Sequence, residues 1–105
     1  MTTTEDPRSL EDKLRAQLDT TTWRDVRQHV ARGAVFSVAP AQDLVAVAIA
    51  VAEDNTDQVR TWLDKNELAR PSADTMAIWE RSLDEAMFRC LVVAPYVLIQ
   101  RLTDA

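Results

Sequence analysis

The strongest constraint on this chain lies at its C-terminal end, where Met87 to Ala94 and Tyr96 to Leu102 form two dense apolar runs parted by one proline. Both are rich in Val, Leu, Ile and aromatic residues, the types that fit a pleated surface. The first run is apolar on both faces towards its end, as in a strand covered from both sides at the middle of a sheet. Pro95 has no N–H to give to a ladder, so it marks an edge, a bulge or a turn before the last strand. That last strand carries Tyr96, Leu98 and Leu102 on one face and Val97 and Ile99 on the other. A chain ending this way must build a sheet and cover it.

The covering elements precede it. Ser9 reads as an N-cap with Asp12 three residues later, and Leu10, Leu14 and Leu18 recur at helical spacing, which predicts a first helix over 10–19. Thr21 or Thr22 then caps a second helix with Trp23, Val26 and Val30 on one stripe. It ends at Gly33, the only glycine in the chain, read as the left-handed residue of a helix C-cap. Residues 34–39 follow as a short strand closed by Pro40. Residues 44–52 alternate Val and Ile with Ala as a strand would. Asp43 as a cap and the helix preference of alanine decide for a helix over 44–53. Two further helices are predicted over 57–66, with Val59, Trp62 and Leu63 on one face, and over 73–82 after Ser72, with Met76, Trp79 and Leu83 aligned.

Length and composition bound the class. At 105 residues, with 47% apolar and 28% charged residues, the chain suits one globular domain. Residues 1–8 are polar and Thr-rich and read as a disordered tail, leaving 9–105 as a single α+β domain. The formal charge of -5 argues against nucleic acid and anionic membranes as partners. The surplus is concentrated in the middle, where Asp43, Glu53, Asp54 and Asp57 meet no base between residues 33 and 58. One cysteine excludes an internal disulfide, and the opening residues lack the basic and apolar regions of a secretion signal, so a cytoplasmic location is expected.

The strings His29-Val-Ala-Arg-Gly-Ala34, Asp43-Leu-Val, Ala52-Glu-Asp54, Val59 to Leu63 around Trp62, Arg70-Pro-Ser72, Trp79 and Val93-Ala-Pro-Tyr-Val-Leu-Ile-Gln100 together resemble a small bacterial family, domain of unknown function 2288. The resemblance runs from about Leu10 to Gln100. Its most specific pieces are the Pro-Tyr-Val-Leu-Ile-Gln end and the Ala-Arg-Gly turn. It implies a compact bacterial domain and transfers no catalytic residue.

Candidate chemistry is sparse. His29 is the chain's one histidine, the residue type best suited to move a proton at neutral pH, but spacing identifies no partner to orient it as a base, and packing at a helix edge explains it better. Glu53-Asp54-Asn55-Thr56-Asp57 sets oxygen ligands in a row, yet it lacks the glycine and closing glutamate of a calcium loop and fits as helix-end punctuation. Cys90 inside an apolar strand reads as an inert thiol, and Trp23, Trp62 and Trp79 as core residues. No cofactor, metal site or catalytic residue is assigned.

These readings converge on an α+β domain with four or five helices packed on a small two- or three-stranded sheet. In so small a chain the helices are expected to cover only one side of the sheet. The last strand would then need a partner, making Tyr96, Val97, Leu98 and Ile99 interface candidates in a homodimer. The function expected is a non-catalytic, self-associating interaction module, with a docked second protein as a further expected partner. The alternative is a small enzyme or ligand-binding domain using His29 and the acids Glu53, Asp54 and Asp57.

Overall fold

The computed structural model describes residues 7–102. Helix α1 (Pro7–Gln17) leads into strand β1 (Asp19–Thr22), and α2 (Trp23–Val26) continues as a 3₁₀ segment (Arg27–Arg32). Strand β2 (Val35–Val38) follows, then α3 (Leu44–Ala52), α4 (Thr56–Asp64), β3 (Leu68–Ala69) and α5 (Ala73–Glu80). The chain ends in the hairpin β4 (Met87–Val93) and β5 (Tyr96–Arg101). The first six residues of the expected tail lie outside the described residues, and Pro7 and Arg8 belong to α1.

The α+β class is as expected, but the sheet has five strands in the order β1-β4-β5-β2-β3, where two or three were expected. One missed strand is Asp19–Thr22. Asp and Thr suggest a helix end and a cap, yet β-branched threonines also suit an edge, and Asp19 to Thr22 pair antiparallel with Cys90 to Met87. The other, β3, is two residues long and too short to show any periodicity. The helix expected from Trp23 to Arg32 is one α turn followed by a tighter 3₁₀ stretch. Gly33 does end it in the left-handed region, with φ 68°.

Local hydrogen bonds explain three helix starts. The Asp43 carboxylate accepts from the N–H groups of Val45 and Ala46, Asn55 from Gln58, and Ser72 from Thr75. Each satisfies donors that a first helical turn leaves open. The apolar run 44–52 is therefore a helix, with Leu44, Val45, Val47, Ala48 and Ala50 buried.

Strand β5 is not an edge. It pairs antiparallel with β4 and parallel with β2, so it lies at the centre of the sheet. Alternation then sends its side chains into two cores. On one face Leu98 joins Leu91, Val38 and Leu68 beneath α1 and α3, with Val59 and the half-buried Trp62 of α4 packed beside them. On the other, Val97 and Ile99 join Val35 and Phe88 beneath Trp23, Val26 and Trp79. Helices thus cover both faces, against the expectation of one. This second core is aromatic: the Trp79 ring lies 4.9 Å from both Trp23 and Phe88. The Trp23 indole donates to the Glu80 carboxylate at 2.8 Å, which also meets Arg27 at 3.1 Å.

Among the described residues, Gln100 is the one buried polar residue. Its amide nitrogen donates to the carbonyls of Ala39 at 2.9 Å and Gln42 at 2.6 Å, tying β5 to the loop that enters α3. Both sheet edges are blunted: β3 is short, and at β1 the Asp19 carboxylate accepts from the N–H of Thr20.

Candidate functional site

The acidic segment forms the joint between α3 and α4. Glu53 closes α3, Asp54 takes a positive φ of 59°, Asn55 caps α4, and Asp57 stands in its first turn. Negative charge in a first turn suits the positive end of a helix. Among the described residues, no three His, Cys, Asp or Glu side chains gather closely enough to hold a metal ion.

His29 lies elsewhere. It is half-buried in the 3₁₀ segment, and its Nδ1 accepts from Arg32 Nη2 at 2.6 Å. It borders a depression of about 360 Å³ with Asp25, Arg32, Cys90, Val92, Pro95 and Val97, on the face covered by Trp23 and Trp79. Asp54 borders a groove on the opposite face. A site combining His29 with the acidic segment is therefore not assembled. The Cys90 thiol in the His29 depression has its pKa pushed up, first by burial and then by the charge of Asp19, which opposes the thiolate a nucleophile needs.

Three of the four interface candidates face inwards. Val97, Leu98 and Ile99 are 6%, 1% and 0% exposed, because neighbours on both sides and helices on both faces enclose β5. Tyr96 remains 39% exposed, and Val92 across the hairpin is 57% exposed. Between them Ala94 and Pro95 are also exposed, in a turn with a cis Ala94-Pro95 peptide.

The groove on the α3 side has a volume of about 360 Å³. Its floor is apolar, from Phe36, Leu68 and Leu98 of the sheet, and Val59 and Leu63 of α4 form one wall. The Tyr96 ring meets Phe36 edge-on at 5.8 Å, and the Arg70 guanidinium carbon lies 5.2 Å from the centre of the Phe36 ring. The same guanidinium passes Gly33, 3.6 Å from where a Cβ would stand. Arg60 completes the rim beside Asp54 and Thr56. The sequence singled out none of Phe36, Arg60 and Arg70 as site residues. They come from β2, α4 and the segment after β3, and only the strand order brings them together.

Comparison with known proteins agrees with this architecture. The solution NMR structure of PA1075 from Pseudomonas aeruginosa is similar over 99% of this chain and 94% of that one, at 31% sequence identity and a TM-score of 0.77. No curated protein matches the chain. The model of the family described as protein of unknown function, DUF2288, matches residues 9–101. Matched over nearly its whole length, the chain belongs to the DUF2288 family.

Proposed function

We propose that this protein is a non-catalytic interaction module that self-associates through the tip of the β4–β5 hairpin. The observation carrying this reading is the tip itself, where Ala94 and Pro95 are exposed in the turn, with exposed Val92 on one face of the hairpin and exposed Tyr96 on the other, in a domain whose sheet faces are covered and whose edges are blunted. Exposed apolar side chains favour association, and a protruding turn can meet its own copy about a two-fold axis. The dimer expected from the sequence is thus moved from the strand to its turn. The enclosed Val97, Leu98 and Ile99 leave it, and Tyr96 stays. The separation of His29 from the acidic segment and the raised thiol pKa of Cys90 favour a binding role over a catalytic one. No helix among the described residues is long and apolar enough to cross a membrane, and a lone half-buried cysteine suits the cytoplasm.

Sedimentation equilibrium at micromolar concentration tests the reading. The expected mass is twice the 11.8 kDa of the chain, reduced to one chain by Val92→Glu, which alters an exposed position and leaves the core intact. A wild-type monomer refutes self-association. A dimer unaffected by Val92→Glu refutes the hairpin tip as its contact.

A further inference from the structure

We propose that the groove between α4 and the β2–β5 strands binds a small amphipathic anion, a carboxylate on an apolar or aromatic body, with Arg70 and Arg60 holding the charged head. Its residues all come from one protomer, and neither arginine belongs to the proposed dimer contact.

Charge points to the ligand. In a chain of net charge -5, Arg15, Arg24 and Arg27 each meet a carboxylate, at 2.7, 2.8 and 3.1 Å. Arg60 and Arg70, like Lys13, Lys65, Arg81 and Arg89, form no ion pair or side-chain hydrogen bond among the described residues, and of these it is Arg60 and Arg70 that line the groove. Arg70 is nevertheless positioned, since its guanidinium lies over the Phe36 ring and against Gly33. Stacking on an aromatic face leaves the in-plane N–H donors open, and that planar fork matches a carboxylate.

The floor defines the rest of the ligand. Phe36, Leu68 and Leu98 offer apolar surface beside the guanidinium, where a bare inorganic anion would gain nothing. The volume of about 360 Å³ lies at the small end of ligand sites, enough for a single ring or short chain with its head group. Asp54 on the same rim, beside Arg60, repels an anion, so the head sits closer to Arg70 and Arg60 acts on it from farther away.

The test uses 4-phenylbutyrate as the probe, followed by ¹H–¹⁵N correlation spectra of the full chain. The expected result is saturable shifts confined to the groove, about tenfold weaker binding of 4-phenylbutyramide, and no competition by equimolar inorganic phosphate. Arg70→Met keeps an apolar stem over Phe36 and should weaken the carboxylate about tenfold, with part of the loss restored in Arg70→Lys. Arg60→Met, at an exposed helix position, should weaken the carboxylate by a smaller factor and leave the amide unchanged, which keeps the test readable should Arg70→Met disturb the fold. Asp54→Asn should strengthen binding. Absence of saturable binding, equal affinity for the amide, displacement by phosphate, or weaker binding to Asp54→Asn would each overturn the assignment.

Discussion

Gln100 is the most informative single position for testing how the central strand is held. Its amide nitrogen serves two carbonyls, and the consequences of removing it differ between them. The Ala39 carbonyl keeps a second donor, the N–H of Gln42 at 3.0 Å, so it loses one bond of about 1 kcal/mol. The Gln42 carbonyl accepts from Gln100 at 2.6 Å and has no second partner among the described residues, so it is left open at a cost of roughly 1–3 kcal/mol. In Gln100→Leu the added apolar surface returns about 1 kcal/mol. The net expectation is a loss of about 2 kcal/mol, a substantial part of the roughly 5–15 kcal/mol of a small domain. Urea denaturation followed by tryptophan fluorescence should show the midpoint falling by about 1–2 M with unchanged slope. Gln100→Glu at neutral pH has no hydrogen to donate and faces two carbonyls with a negative charge. It should therefore be worse than Gln100→Leu, and should recover on acidification as the carboxyl regains a proton. A Gln100→Leu midpoint indistinguishable from wild type, or a Gln100→Glu deficit that does not shrink with falling pH, would refute the reasoning.

Two further predictions follow from the cores and the thiol. Trp79→Ala should cost about 3–5 kcal/mol, since its ring packs between Trp23 and Phe88, whereas Trp62→Ala should cost no more than about half as much from its half-buried position; equal midpoints for the two variants in chemical denaturation would contradict this. Cys90 has a folded-state pKa above its unfolded value, so its contribution to stability is fully present below the ordinary thiol range and is lost as pH rises through the folded value. The stability difference between wild type and Cys90→Ala, read from melting curves, should therefore shift against the wild type only in alkaline solution, and a shift that appears on acidification would show the sign to be wrong.

Much of the helical part was legible because its causes are local. Asp43, Asn55 and Ser72 bond to N–H groups two or three residues ahead, within reach of any reading along the chain. Gly33 was legible for the same reason: a left-handed backbone is cheap only without a Cβ, and the chain has one such residue. The hairpin around Pro95 followed from two β-prone runs joined by a residue that cannot extend a ladder. Trp62 and Trp79 sit on similar stripes, and nothing local says that one will meet two aromatic rings and the other a partly open surface.

What only the tertiary structure decided is who lies beside whom. Asp19–Thr22 became a strand because Met87–Cys90 offered it a ladder, and Leu68–Ala69 because β2 did. The parallel pairing of β2 with β5 turned the expected edge into the centre of the sheet and moved Val97, Leu98 and Ile99 from surface to core. The same strand order set Arg70 over Phe36, and put His29 and Asp54 on opposite faces. Caps, turns and amphipathic stripes are contacts over a few residues, and composition and spacing record them. Strand order and grooves are contacts between distant segments, selected by how the whole apolar surface can be buried at once.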